Sequence, residues 1–308
     1  MRQTPLEFLP HFSEVIGREI WIKRDDCNGD ILTAGNKQRK ITYLLQDAQA
    51  QGAEIILTSG GPQSNHARAM GALSIKAGLT PLLVLGGREP EQVTGNYLLN
   101  KLLGVEMLFT GAKTQEEMGE ALFTTAQKLK AAGRKTYLIP VGGSNGLGTF
   151  SYVEAYREMK QQSQDLDFHW LFVSAGSGGT MAGLTLGKWL HGDQTQIVGI
   201  SPWLKKEEIE AKVWNCVQEC LPILKQEPSL KLEEIQVADN YIGEGYGLPT
   251  KEGRKALNLL ARTEAILLDY VYTSKTMAGC LDYIRKGIVK PGERVLFWHT
   301  GGAPSIFT

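Results

Sequence analysis

The sequence predicts an α/β protein built on parallel sheets, and two observations predict it. Short apolar, β-branched runs alternate with stretches of helical periodicity nearly to the end of the chain. Most of those runs are near-continuous rather than alternating, which is the pattern of strands covered on both faces. Strand–helix alternation of this kind implies parallel strands joined by right-handed crossovers.

The elements follow in order. Glu19–Lys23 reads as a first strand, and Ile41, Leu44, Leu45 and Ala48 mark a helix over Lys40–Gln51. Further strands are expected at Glu54–Thr58, Pro81–Leu85, Glu106–Phe109, Thr136–Pro140, Trp170–Ser174, Gln196–Ile200, Ala265–Leu268 and Arg294–His299. Helices between them are expected at Asn65–Ala77, Gly95–Leu103, Gln115–Ala132, Phe150–Gln161, Thr180–Leu190, Lys251–Arg262 and Ser274–Lys286. The stretch Lys205–Glu233 is richer in charge and reads as helical with loops. No fixed repeat argues for a solenoid, and no Pro/Ser-rich linker separates domains. The turn Gly142–Gly148 is a candidate crossing between them.

A chain of 308 residues can bury a large core and suggests about two domains. Lys plus Arg and Asp plus Glu are equal at 33 each, so charge favours neither a polyanion nor an anionic membrane as partner. No basic stripe suggests nucleic acid. No apolar run reaches the length of a membrane span, and Arg2, Thr4, Pro5 and Glu7 do not make a signal peptide. A cytoplasmic protein is expected. Four cysteines (Cys27, Cys216, Cys220, Cys280) lack the paired spacing of a zinc site and read as reduced thiols.

Lys37 stands out in Asp25–Lys40. Behind a Gly35-Asn36 elbow, with Asn36 as N-cap, it falls in the first turn of a helix. The macrodipole disfavours an ammonium there, so its pKa should fall and its amine could act as a nucleophile. An exposed surface lysine is the ordinary alternative. The second signal is Phe172-Val173-Ser174-Ala175-Gly176-Ser177-Gly178-Gly179-Thr180. A buried strand, a glycine turn and a helix start make an anion nest, to which Ser177 and Thr180 add hydroxyls. The lysine of a P-loop and the third glycine of a dinucleotide fingerprint are missing, so a small phosphorylated ligand fits best.

A third turn places Gln63, Ser64, Asn65 and His66 after a strand. Ser64 or Asn65 could be a helix cap, but this crowding also suits a substrate carboxylate or a ring oxygen. Gly142–Gly148 and the stretch Trp298–Pro304, with Thr300 at a strand end, are two further glycine turns. Tyr246 is held between glycines in a loop. A phosphate anchor and a Schiff-base lysine are together what pyridoxal phosphate requires.

The chain resembles the fold-type II pyridoxal-phosphate enzymes, specifically the D-cysteine desulfhydrase / 1-aminocyclopropane-1-carboxylate (ACC) deaminase family. The matching stretches are Ile22–Asp26, Gly35–Lys40, Gln63–His66, Pro140–Asn145, Gly176–Thr180, Gly245–Pro249, Val271–Thr273 and His299–Pro304. They run in the family's order over essentially the whole chain. The resemblance implies a tryptophan synthase β-like architecture of two open parallel-sheet domains with the cofactor in the cleft. Residues 1–38 and 146–308 would form the larger domain and residues 39–145 the smaller. A homodimer is usual in the family.

The resemblance also implies roles. Lys37 would carry the cofactor and later move the proton at the substrate's Cα. Asn65 would bond the ring's O3′, Thr300 would face the ring nitrogen, and Gly176, Ser177, Gly178, Gly179 and Thr180 would hold the phosphate, aided by Lys40. Ser64, Asn65 and His66, with the backbone from Gln63, would receive a small amino-acid substrate, and Tyr246 would lie over it, with Lys37, Tyr246 and Ser64 as the catalytic groups. Thr300, where ACC deaminases tend to carry Leu, together with His66 and the Val271–Thr273 run, looks like the desulfhydrase side. The expected reaction is α,β-elimination of D-cysteine to pyruvate, sulfide and ammonia. ACC deamination and a catalytically silent cofactor- or phosphate-binding relative are the alternatives. Ala34, Ser151 and Ser274 stand where the family usually has glycine, and the N-terminus begins late against the family pattern.

Overall fold

The computed structural model describes residues 2–28, 34–164, 166–226 and 229–308. Residues 29–33 of the Asp25–Lys40 loop, and residues 227–228 of the stretch read as helical with loops, lie outside that description. The chain opens with β1 (Leu6–Phe8), α1 (Pro10–Ile16) and β2 (Ile20–Arg24), then enters α2 (Asn36–Ala50). There follow β3 (Ile55–Gly60), α3 (Asn65–Lys76), β4 (Thr80–Leu85), α4 (Gly95–Leu102), β5 (Glu106–Phe109), α5 (Gln115–Ala131) and β6 (Thr136–Leu138). The rest carries α6 (Gly146–Ser163), β7 (Trp170–Ser174), α7 (Gly179–Leu190), β8 (Gln196–Ile200), α8 (Lys206–Leu224), β9 (Gln236–Ala238), α9 (Lys251–Glu264), α10 (Thr273–Arg285) and β10 (Val295–His299).

Two sheets divide these strands. One has the order β1-β2-β10-β7-β8-β9 and the other β5-β4-β3-β6. Every pairing is parallel except that of β1 with β2 at the edge of the larger sheet. The continuous hydrophobic runs have the expected cause. In β7 and β10, Leu171, Val173, Leu296 and Trp298 pack into the core on one face. Trp170, Phe172, Val295 and Phe297 pack into the core on the other. The parallel register sets Leu296 beside Leu171 and Phe297 beside Phe172, so each face is a continuous apolar row. No helix among the described residues is long and apolar enough to cross a membrane.

A buried charged cluster braces the larger sheet against α2 and α6. Asp25 accepts hydrogen bonds from Thr4 Oγ1 (3.0 Å), Arg39 Nε (3.0 Å), Tyr152 Oη (2.5 Å) and Trp298 Nε1 (2.8 Å). Glu158 takes both terminal nitrogens of Arg39 and the Lys23 ammonium. Every charge in this cluster is paired, which makes its burial tolerable.

Four features differ from the expectation. Ala265–Leu268 is not a strand: α9 ends with Ala265 in the left-handed conformation at φ 56°, and Ile266 and Leu268 are buried without joining a ladder. The short strands β1 and β9 and the helix α1 were not expected. They have three, three and seven residues, too few to show a period. The four cysteines are free thiols, with Cys27 exposed and the other three buried.

Candidate active site

The parallel strands end toward a common region, and the turns singled out in the sequence follow such ends, except that Tyr246 lies in the long loop between β9 and α9. Residues 25–37 follow β2, 61–66 follow β3, 175–179 follow β7, and 300–302 follow β10. Ligands of open α/β sheets bind at this end because loops diverge and helix N-termini converge there.

Lys37 occupies the first turn of α2, but Asn36 is not its cap. The cap position belongs to Gly35, at φ 59°, where an added Cβ would lie 2.3 Å from the Thr300 carbonyl oxygen. Only glycine tolerates both the conformation and the contact. Asn36 instead ties two other elements together. Its backbone N–H donates to Thr300 O (3.0 Å) and its Nδ2 donates to Thr180 Oγ1 (3.1 Å). Lys37 is half-buried and its amine has no partner among the described residues. Burial lowers its pKa to about 8.

Beside it lies a nest built for an anion. Lys40 is buried, and its ammonium donates to Ser144 Oγ at 3.0 Å. Ser144 Oγ lies 2.8 Å from Ser177 Oγ and accepts from the Gly179 N–H at 3.3 Å. The amides of Ser177, Gly178 and Thr180 have no backbone acceptor among the described residues. Gly179 is needed for space, since a Cβ there would come within 2.7 Å of Ser144 Oγ. Burial, and then the charge of Lys37, pushes the Lys40 pKa well down. A buried cation with one hydroxyl acceptor, beside serine hydroxyls and unfilled amides at a helix start, fits a phosphate group.

The β3–α3 turn supplies a second set. Ser64 is the N-cap of α3, its Oγ accepting from the Ala67 N–H at 3.2 Å, so its hydroxyl proton remains to be donated. Asn65 accepts at Oδ1 from Asn96 Nδ2 (2.7 Å), which leaves its own Nδ2 as the free donor. Arg68 Nε donates to Asn96 Oδ1 (3.1 Å) and holds Asn96 in that orientation. The Gln63 side chain is committed elsewhere: Oε1 accepts from Asn96 N–H and Nε2 donates to Thr94 O. Its backbone carbonyl accepts from Asn96 Nδ2 at 2.9 Å, so among the described residues only its backbone N–H remains for a ligand.

His66 is buried and neutral. Burial first, then the charges of Lys37 and Lys40, hold its pKa well below the usual value. Thr58 Oγ1 donates to Ile139 O (2.7 Å), so it accepts from His66 Nε2 (2.8 Å). The lone pair of His66 Nδ1 is then left buried without a partner among the described residues. His66 thus offers an acceptor, and a carboxylate falls instead to the Ser64 hydroxyl and the free amides at the start of α3.

Thr300 is 7% exposed, and its hydroxyl has no partner among the described residues. Tyr246 is 55% exposed and its Oη lies 2.5 Å from Tyr272 Oη. The Tyr246 ring packs on Trp203 with centroids 5.5 Å apart, and Tyr272 Cε1 lies at the Gly176 turn of the nest. The sequence reading gave no role to Tyr272, Ser144 or Asn96. Tyr272 and Ser144 lie inside matched stretches and were within reach. Asn96 carries no local sign, because its partners are about 30 residues away.

Comparison with known proteins agrees with this geometry. The profile of the family described as pyridoxal-phosphate dependent enzyme matches residues 1–301. A protein of Pyrococcus horikoshii named a putative 1-aminocyclopropane-1-carboxylate deaminase is 40% identical over 305 residues, 99% of this chain and 91% of its own. The crystal structure of an ACC deaminase homologue superposes with a TM-score of 0.92 at 38% identity, over 100% of this chain and 91% of that one. The processed threonine deaminase isoform 2 of Solanum lycopersicum shares the fold at a TM-score of 0.69 and 16% identity, over 97% and 79%. The nest, the uncommitted lysine and these likenesses agree: the chain belongs to the pyridoxal-phosphate dependent enzymes, has their fold-type II architecture and takes pyridoxal phosphate as cofactor.

Proposed function

We propose that the protein is a lyase that converts D-cysteine and water into pyruvate, sulfide and ammonia, or a related β-substituted D-amino acid into pyruvate, ammonia and its own β-leaving group. The observation that carries this reading is Thr300: a buried residue at the end of β10, tied through its carbonyl to Asn36 next to Lys37, with its hydroxyl uncommitted. Bound in the nest, pyridoxal phosphate supplies the electron sink for charge developing at the substrate's Cα. Lys37 holds the cofactor and, with a pKa of about 8, has a neutral amine available to take and return the Cα proton near neutral pH. Gly176, Ser177, Gly178, Gly179, Thr180 and Lys40 would hold the phosphate, and Asn65, whose Oδ1 is committed to Asn96, would offer its Nδ2 to the ring's O3′. Ser64 and the first amides of α3 orient the substrate carboxylate, while Tyr246 and Tyr272 cover the substrate and carry a proton to the departing group. Thr300 would present a hydroxyl rather than a carboxylate to the ring nitrogen, which would leave it largely unprotonated, moderate the sink and suit elimination. In this reading the cofactor lies between residues 39–145 and the remainder of the chain, in a cytoplasmic homodimer.

A second reading is ACC deamination to 2-oxobutanoate and ammonia. It is supported by the printed names of the 40% identical relative and of the matching crystal structure. The test is product release from D-cysteine, L-cysteine, D-serine and ACC by one purified, cofactor-loaded preparation. Pyruvate with sulfide from D-cysteine supports the first reading, and 2-oxobutanoate from ACC alone replaces it with the second. No turnover of any of them, with the cofactor bound, points to another amino acid as substrate or to a catalytically silent relative. Thr300→Leu should cut elimination by about tenfold if the hydroxyl tunes the ring; unchanged kinetics remove that role.

A further inference from the structure

Lys275 is buried in the first turns of α10, and the mechanism above gives it no task. Its ammonium has no carboxylate in contact among the described residues. It donates to three backbone carbonyls: Ile242 O at 2.8 Å, Gly245 O at 3.1 Å and Pro202 O at 3.2 Å. An ammonium has three donors, so this set uses all of them. The acceptors sit on two different loops. Gly245 immediately precedes Tyr246, and Pro202 immediately precedes Trp203. The two rings that follow pack on each other, 5.5 Å between centroids. Tyr272, whose hydroxyl meets Tyr246, lies one turn before Lys275 at the start of the same helix.

Removing a fully buried ammonium from water is costly, and among the described residues no ion pair offsets it, Asp269 acting on it only through its charge at longer range. An apolar side chain would fill the space without that cost, but it would leave the buried Pro202 carbonyl and the part-buried carbonyls of Ile242 and Gly245 without this donor, and would untether the glycine-rich 242–247 loop from the 202–203 loop. The tether matters because Tyr246 is otherwise lightly held. Its ring is more than half exposed, and glycines flank it on both sides.

We propose that Lys275 is a positioning residue for the aromatic cover of the active site: its ammonium clamps the 242–246 loop to the 202–203 loop and so sets the Tyr246 hydroxyl against Tyr272. This rests on the placement of Tyr246 over the substrate. The clamp acts through Tyr246 and makes no contact with the cofactor nest, so it governs turnover rather than cofactor binding.

The test is a double-mutant cycle on the cofactor-loaded enzyme, using the amino acid turned over in the product panel and amide exchange measured on the same samples. Lys275→Met should lower kcat about tenfold with KM within about twofold, and should leave cofactor affinity unchanged. In a Tyr246→Phe background the same change should cost less than about twofold, because the clamp then has nothing to position. Exchange over residues 242–248 should rise at least about tenfold, while residues 176–180 stay as in the wild type. Lys275→Gln, whose amide keeps two donors, should fall between wild type and Lys275→Met and serves as the second variant if the methionine form does not hold cofactor. Losses that add in full across the cycle, or exchange that does not rise in the loop, overturn the clamp. A Tyr246→Phe variant with full activity would instead overturn the placement of Tyr246, and the loop exchange would still decide whether Lys275 tethers it.

Discussion

Capture of pyridoxal phosphate by the cofactor-free protein should switch on with pH around a midpoint near the Lys37 pKa of about 8. The direction follows from burial. Desolvation penalises the ammonium, so the pKa falls, and the neutral amine that attacks the aldehyde is more abundant at a given pH. At about pH 7.5, roughly a quarter of such an amine is neutral, against about one part in a thousand for an ordinary lysine. The reactive population is therefore enriched roughly 200-fold. The perturbation is pH, stepped from about 7 to about 9.5, a range in which a phosphate ester with its second ionisation at about 6 is already about nine-tenths or more dianion. The assay is stopped-flow mixing with excess cofactor, following the absorbance of the bound form, with Lys37→Ala as the control that captures nothing. A rate that climbs through a midpoint near 8 and then levels supports the account. A rate still rising tenfold per pH unit at about 9.5 would mean that Lys37 is an ordinary lysine, and the reasoning from burial fails.

Two other outcomes follow from the buried network and from the helper of Asn65. Burial pushes the Glu158 pKa up, but the hydrogen bonds and charge of Arg39, and then Lys23, outweigh it and hold the carboxyl at about 2. A folded pKa below the unfolded one adds stability above about pH 4.5 that is lost as pH falls toward 2. Glu158→Gln should therefore cost about 3 kcal/mol in urea unfolding at pH 7 and much less at about pH 3, whereas parallel losses at both would contradict the pairing. Asn96→Ala removes the 2.7 Å bond that orients the Asn65 amide, and should weaken cofactor binding about tenfold in equilibrium dialysis. No loss would show that Asn65 orients itself.

The fold class was legible because both faces of the central strands are covered. Trp170–Ser174 and Val295–His299 are apolar at every position but the last. Ala265–Leu268 has the same composition but pairs with no strand, and composition alone does not report pairing. The nest and Lys37 were legible because local chemistry sets them: glycine turns after strands, and a lysine where a helix disfavours one. The commitment of the Gln63 amide, the turn of Asn36 toward Thr180, and the tethering of Tyr246 by Lys275 were not. Each depends on a partner about 30 or more residues away, and no spacing rule reaches that far. The neutral tautomer of His66 likewise depends on Thr58 being committed to Ile139.

The central claim is that Lys37 carries the cofactor, and reductive trapping tests it most directly. The cofactor-loaded enzyme would be treated with borohydride, digested, and its peptides mapped by mass spectrometry. The account predicts a single pyridoxyl-phosphate adduct, on Lys37. An adduct on Lys40 or on any other lysine, or no adduct with the cofactor present, would contradict it.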